Sequence, residues 1–251
     1  KRDLRWCQGN MQYWRILAWP GLRPMSRFQI FAAIMMYMGA PAWMLMTIAA
    51  AAKLLEGPEA GVNLAFAISM FFIMLAVSLV PKIAGWTDVL LTKGGPRRYG
   101  GTARFLASGI TETFFSMMLA PAVALRVTLF LIGLLFGRSV TWSGQNRDAY
   151  VLSWGDAFRG LWPQTVFGAA LGLAILSGAP GAWPWAAPVL AGLIFSIPFA
   201  VLTASPALGR AMARAGLCAI PEERHPVETL ARAEAGRPDL PAPAPAAPQA
   251  A

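Results

Sequence analysis

The sequence predicts an all-α membrane protein: a multi-helix transmembrane bundle with interfacial amphipathic helices. Of its 251 residues, 57% are hydrophobic and only 13% are charged, against roughly 25% charged residues in an average soluble domain. The mean hydropathy is +0.52. Several apolar segments are long enough to cross a bilayer, and lysines and arginines stand at their ends, as in multi-pass membrane proteins.

Residues 1–27 mix basic and aromatic side chains before the first long apolar segment. This mixture is typical of an amphipathic helix at a membrane surface, and its positive charge favours the cytoplasmic side. Prolines and a glycine at 20–24 then turn the chain. The residues that define the segment are Arg2, Arg5, Arg15, Arg23 and Arg27, with Trp6, Tyr13, Trp14 and Trp19.

Residues 28–204 form the predicted transmembrane region, with spans at about 28–52, 62–80, 161–177 and 185–204. About 20 apolar residues in a helix cross a hydrocarbon layer of roughly 30 Å. The basic segment that follows the first two spans, 81–104, is expected to be a cytoplasmic loop. Its glycine-rich centre is either a phosphate-binding loop or a solvated loop facing lipid headgroups, and it lacks the spacing of a P-loop.

Residues 105–136 form an ambiguous segment. It is too long for one ordinary span, Pro121 interrupts it, and Glu112 and Arg126 place charges within an apolar run. One tilted span would put the next loop in the periplasm, whereas a re-entrant segment, an interfacial helix or paired short helices would return it to the cytosol. The arginine-rich tail, 205–251, favours a cytoplasmic end and therefore no net crossing by this segment. The Pro- and Ala-rich end of the tail is expected to be disordered.

A dense polar patch spans residues 2–10, and in it a tryptophan follows an arginine, Arg5-Trp6. A guanidinium offers a fixed fork of N–H donors that matches diphosphate oxygens, and an indole offers a flat apolar face on which a sugar ring stacks. The pair therefore fits a phosphorylated sugar donor at a membrane surface. The alternative is that both residues only mark the headgroup zone, where Arg and Trp are common.

The string Arg-Asp-Leu-Arg-Trp-Cys-Gln-Gly-Asn at 2–10 resembles the motif ending in Arg-Trp of processive family 2 glycosyltransferases. Its extension resembles the glucosyltransferase H branch, which makes osmoregulated periplasmic glucans. The resemblance implies that Arg5 and Arg2 bind the donor diphosphate and that Trp6 and Gln8 bind the acceptor end of the glucan. Cellulose and hyaluronan synthases usually have Gln at the position of Arg2.

The same resemblance implies a catalytic α/β domain upstream of these residues. That domain would hold the catalytic base and a divalent metal, Mg or Mn. No catalytic residue and no metal site is therefore expected in this chain, which is expected to be inactive when expressed alone.

A second polar segment, 137–148, resembles part of the same family and the gating loop of cellulose synthases. A loop that closes over a charged nucleotide would exclude water and hinder hydrolysis of the donor. The alternative is a polar connection that also anchors a helix at the interface. Ser143-Gly144 stands where the gating loop of cellulose synthases has Lys-Gly. The candidate gating residues are Val140, Thr141, Trp142, Ser143, Gln145, Arg147 and Asp148.

These observations favour the membrane portion of a glucosyltransferase in the bacterial inner membrane, which polymerises glucose from UDP-glucose and passes the β-glucan towards the periplasm. Its expected partners are UDP-glucose, the growing glucan, membrane lipids and a periplasmic glucan-processing protein. Nucleic acid is not expected, because the net charge of +9 comes from the ends of apolar segments and not from a base-stacking module. A transporter or channel subunit, motivated by Glu112 and Arg126, and a passive anchor for other proteins are the alternatives.

The two cysteines predict neither a disulfide nor a metal site. Cys7 and Cys218 are far apart in sequence, and both lie in segments expected in the cytosol. Neither has a histidine or a second cysteine at metal-ligand spacing, and the single histidine, His225, lies in the polar tail.

Overall fold

The computed structural model describes residues 2–56, 63–141, 151–224 and 228–229 of the chain. The regular secondary structure in these ranges is all helical, and they contain no strand. Four of the described helices are long and apolar enough to cross a membrane, or five if a bent pair counts as one span. The predicted all-α membrane fold is confirmed.

The helices follow one another in a simple order. They are α1 (Arg2–Gln12), α2 (Trp14–Leu17), α3 (Pro24–Leu55), α4 (Leu64–Leu91), α5 (Gly95–Arg98), α6 (Thr102–Leu135), α7 (Trp154–Gly178), a 3-10 turn (Pro180–Ala182), α8 (Trp183–Ile194), α9 (Ser196–Thr203), α10 (Pro206–Ala215) and α11 (Pro221–Arg224).

The first of two compact units contains Lys1–Phe71, Phe114–Gly144 and Leu152–Leu202. Side chains from α3, α6, α7 and α8 meet in its core, and glycines let the helices approach closely. At Gly168 of α7, an added Cβ would lie 2.6 Å from Leu193 Cβ of α8. At Gly192 of α8, it would lie 2.5 Å from the Met118 carbonyl oxygen of α6. The buried core residues are Met44, Leu125, Leu171, Ile175, Leu190 and Leu193.

The second unit contains Phe72–Thr113, Gln145–Val151 and Thr203–Ala251. Within it, the end of α4 packs antiparallel to the start of α6. Trp86 of α4 lies against Gly109 of α6, where an added Cβ would meet the indole at 2.5 Å. About one helical turn away, Lys82 of α4 and Glu112 of α6 form an ion pair, with Lys82 Nζ 3.0 Å from Glu112 Oε1.

Two prolines that the sequence presents as breaks lie inside continuous helices. Pro121 is within the 34-residue helix α6, so the paired short helices and the re-entrant turn considered for 105–136 are not formed. Pro81 is likewise within α4, which continues to Leu91. The loop expected at 81–104 is therefore mostly helical. Its glycine-rich centre forms the short helix α5, where Gly95 N–H donates to the Thr92 carbonyl at 2.8 Å.

A third proline does break a helix. α8 and α9 meet at an angle of 62°, where a single span is expected at 185–204. Pro198 has no N–H for the carbonyl of Ile194, four residues earlier, and its ring crowds that carbonyl. Thr165 of α7 satisfies the displaced group, because its hydroxyl donates to Ile194 O at 3.2 Å and lies 3.4 Å from Ser196 Oγ.

Candidate functional site

One face of α1 is buried, and this burial fixes the rotation of the helix. Leu4, Cys7 and Met11 recur at helical spacing and pack in a cluster with Val127 and Leu131 of α6. Partly buried residues of α3, among them residues 37 and 38, complete the cluster. The thiol of Cys7 is fully buried at its centre.

The opposite face of α1 carries Arg5 and Trp6 of the predicted diphosphate and sugar residues. At 100° per residue, Arg5, Trp6 and Gly9 fall within one arc of about 100° on the side away from Leu4. The Trp6 side chain is 65% exposed, whereas Arg5 is half-buried. A Cβ at Gly9 would meet nothing within 4 Å, so the surface beside the indole is open. Burial of the apolar face thus presents the Arg-Trp pair outward.

Cys7 lies next to these residues but has a packing role. Burial raises the pKa of its thiol to about 11, from an ordinary value of 9.0. The thiol is therefore protonated at neutral pH and is a poor nucleophile. The residue acts as a small apolar side chain that anchors α1 to α6.

The glycine at the end of α6 directs the chain back towards α1. Gly137 has φ of +83°, a left-handed conformation that glycine adopts without strain. Its N–H donates to Leu134 O at 3.1 Å, and the N–H of Arg138 donates to Gly133 O at 2.9 Å. This pair of bonds is a Schellman motif, which ends α6 and sends 138–141 in a new direction.

A hydrogen bond then joins the two segments that the sequence singled out. The N–H of Val140 donates to Gln8 Oε1 at 2.7 Å, across a sequence separation of 132 residues. The acceptor is the side chain that the resemblance assigns to the glucan, so the structure gives its amide oxygen a partner within the chain. Sequence reasoning selected both residues but contained no signal that they touch.

The remaining gating candidates are only partly within the described chain. Thr141 is described and exposed. Trp142, Ser143, Gln145, Arg147 and Asp148 lie outside the described residues.

The Arg-Trp helix and residues 138–141 lie side by side, at the level of the middle of α3. α1 packs beside residues 37 and 38 of α3, whereas the far end of α3 contacts the end of α7. There, a Cβ at Gly178 would overlap the carbonyl of Leu54. With 1.5 Å of rise per residue, these two levels of α3 are about 25 Å apart.

The charged residues expected at membrane depth have different surroundings. Glu112 pairs with Lys82 in the second unit. Arg126 is exposed on the surface of α6 in the first unit. Neither is part of a cluster of ligands: within the described ranges, no group of three or more His, Cys, Asp or Glu side chains is placed to hold a metal ion. The donor set for a divalent metal is thus not formed by these residues, and no step is assigned to a metal here.

Fold and site together define a multi-helix membrane protein that presents an arginine and a tryptophan on the outward face of a short helix packed against α3 and α6. The curated relatives are named glucans biosynthesis glucosyltransferase H. One from Xanthomonas euvesicatoria is 34% identical over 250 residues, which cover 92% of this chain and 38% of the relative. One from Pseudomonas putida strain F1 is 31% identical over 92% of this chain and 29% of the relative.

A third relative, from Vibrio cholerae, is 31% identical over 94% of this chain and 35% of its own length. The chain is therefore homologous to a region of the glucans biosynthesis glucosyltransferase H proteins, and the resemblance seen at residues 2–10 is confirmed. The chain spans about a third of the length of these relatives. No family model and no solved structure matches the chain.

Proposed function

We propose that this chain is the membrane portion of a processive glucosyltransferase of the bacterial inner membrane. The complete enzyme polymerises glucose from UDP-glucose into β-glucan and helps to move it to the periplasm. The relatives' names support the glucosyltransferase class. The single observation that carries the assignment to this site is the orientation of α1, whose buried Cys7 face leaves Arg5 and Trp6 on the outward face.

Each of these residues has a distinct role in the proposal. The guanidinium of Arg5, with Arg2 one turn earlier, binds the diphosphate of the donor, where a planar fork of donors matches two phosphate oxygens. The exposed indole of Trp6 stacks on the glucose unit at the acceptor end of the glucan. Such stacking holds the growing chain while the next donor binds, as processive synthesis requires.

The segment that begins at Val140 closes over the donor site in this proposal. Its first residues are held beside α1 by the Gln8 amide, on the same helix as Arg5. Closure would exclude water and favour transfer of glucose over hydrolysis. Gln8 is thus a positioning residue for this segment, in addition to the acceptor contact that the resemblance implies.

The catalytic base and the divalent metal, Mg or Mn, are assigned to the part of the enzyme outside this chain. A divalent metal would neutralise charge on the leaving UDP there. On this proposal the chain is inactive alone, and its other partners are membrane lipids and a periplasmic protein that processes the glucan.

The transporter alternative predicts broken helices in corresponding halves of the chain. Among the described residues there is one bent pair, α8 and α9. Its break is explained by Pro198 and satisfied by Thr165, and no counterpart accompanies it in the described ranges. The enzyme is therefore the better supported proposal.

Substitutions in the complete enzyme test the proposal. Arg5→Ala removes charge-assisted hydrogen bonds worth about 1.5 to 3 kcal/mol, so kcat/KM for UDP-glucose should fall at least tenfold with normal membrane insertion. Trp6→Ala should lower glucan elongation about tenfold, and more than it lowers hydrolysis of UDP-glucose. The matched controls are Arg15→Ala and Trp19→Ala, exposed residues outside α1. Near-normal polymerisation by Arg5→Ala would overturn the diphosphate contact, and equal losses of elongation and hydrolysis in Trp6→Ala would overturn acceptor stacking.

A further inference from the structure

An open groove lies where α2 meets the beginning of α3. It has a volume of about 520 Å³, and its lining is apolar except for one guanidinium. The lining residues are Trp14, Leu17, Ala18, Arg27, Phe28 and Phe31. It lies at the start of a 32-residue apolar helix that is long enough to cross a membrane. This is the level at which lipid headgroups meet acyl chains.

The chain segment that forms the groove carries charge of one sign. Residues 14–31 contain Arg15, Arg23 and Arg27 and no Asp or Glu. The Arg27 side chain lines the groove, and its Nη2 donates to Trp19 O at 3.3 Å. A guanidinium carries five N–H donors, and this bond engages one of them.

We propose that the groove binds one anionic phospholipid. The phosphodiester contacts the guanidinium of Arg27, and an acyl chain lies against Phe28, Phe31 and Leu17. Charge complementarity selects an anionic over a zwitterionic headgroup, since the choline group would face a segment, 14–31, that holds three arginines and no Asp or Glu. The exposed indole of Trp14 closes the groove at the headgroup level, where amphipathic rings are favoured. The site is separate from the face of α1 that carries Arg5 and Trp6.

Native mass spectrometry of the complete protein, with defined lipids, tests this proposal. The probes are palmitoyl-oleoyl phosphatidylglycerol and phosphatidylcholine, each added to delipidated protein in detergent. Retention of phosphatidylglycerol should exceed that of phosphatidylcholine, and Arg27→Gln should reduce it about tenfold, in line with loss of a charge-assisted contact. Leu17→Trp, which fills the groove, should reduce retention of both lipids. Soluble glycerol 3-phosphate should not displace the lipid, because the acyl chain supplies part of the affinity.

Lys53→Gln is the matched control, since Lys53 is an exposed cation at the other end of α3. Equal loss of phosphatidylglycerol in Lys53→Gln and Arg27→Gln would overturn the proposal, because retention of the lipid would then not depend on a cation at the groove. Unchanged retention in Arg27→Gln would also overturn it. So would a wild-type protein that retains neither lipid, which is the result expected if another part of the polypeptide covers the groove.

Discussion

Replacing Gln8 by leucine would remove the hydrogen bond that joins the N–H of Val140 to the Arg-Trp helix. Leucine has a similar size but no acceptor, so the Val140 N–H, bound at 2.7 Å in the native chain, would lose its partner. The bond is partly buried, and such a bond contributes about 0.5 to 1.5 kcal/mol net. The held arrangement of residues 138–141 should therefore become about 2- to 12-fold less favoured relative to released arrangements.

Amide hydrogen exchange measures this change directly. In wild-type protein the Val140 amide should be protected, and in Gln8→Leu its exchange should accelerate by about 2- to 12-fold. Gln8→Glu keeps an oxygen that accepts the N–H and should restore protection. Gln12→Leu is the matched control, since Gln12 is an exposed residue one turn further along α1.

The two measurements test separately the contact between Gln8 and Val140 and its proposed role in closure over the donor. Unchanged Val140 exchange in Gln8→Leu would refute the contact itself. Faster exchange accompanied by an unchanged ratio of glucan synthesis to UDP-glucose hydrolysis, measured in the complete enzyme, would refute closure over the donor while leaving the contact intact. The proposal expects that ratio to fall in Gln8→Leu and to recover in Gln8→Glu, because the released segment admits water.

Further predictions concern packing and protonation in the same unit. Gly168→Ala should lower the free energy of unfolding by about 1 to 3 kcal/mol, because its Cβ would meet Leu193 Cβ at 2.6 Å. Gly160→Ala, in the same helix but with nothing within 4 Å, should not lower it; an equal loss in a denaturant titration would contradict this reasoning. Cys7 should react with iodoacetamide at pH 8 about 100-fold more slowly than a thiol of ordinary pKa, since burial raises its pKa to about 11. A cysteine in a short unfolded peptide is the comparison, because burial and the charge of Glu112 also raise the pKa of exposed Cys218. Because the folded state favours the neutral Cys7 thiol, its contribution to stability is full below pH 9 and is lost as the pH rises towards 11, a loss that Cys7→Ala should abolish. Gln164→Leu should leave the free energy of unfolding unchanged or raise it by about 1 kcal/mol. The buried Oε1 of Gln164 has no hydrogen-bond partner among the described residues, and Nε2 makes only a 3.4 Å bond to Ala122 O. A fall of more than about 1 kcal/mol would show that the amide oxygen has a partner in the membrane.

The sequence predicted the helical fold well and the helix breaks poorly, and prolines explain the difference. Hydropathy identifies long apolar helices because a membrane requires every backbone group to bond within its own segment. A proline removes only one such bond, so Pro81 and Pro121 remain inside α4 and α6. Pro198 breaks the helix where a neighbour, Thr165, is placed to satisfy the freed carbonyl. That compensation depends on a residue 29 positions from Ile194, and no local pattern reveals it.

The sequence identified the residues of the candidate site but not the contact that brings its two segments together. Residue chemistry and the order Arg5-Trp6 identified the exposed face of α1. Apolar residues at helical spacing also indicate which face of a helix is buried. The junction of Gln8 with Val140 required knowledge of how α6 ends. A glycine after a helix signals a C-terminal cap, yet the direction taken by the chain after Gly137 becomes clear only in three dimensions.

A single helix, α6, sets both parts of the candidate site. Its residues Val127 and Leu131 hold Cys7 and thereby set the rotation of α1, while its C-terminal cap aims Val140 at the Gln8 amide. α8 supports the same helix, since Gly192 allows close contact with the backbone of Met118. Any shift of α6 would therefore move the Arg-Trp face and the start of the 138–148 segment together. This shared support explains how residues far apart in sequence keep one geometry, which is what the proposed diphosphate site with its closing segment requires.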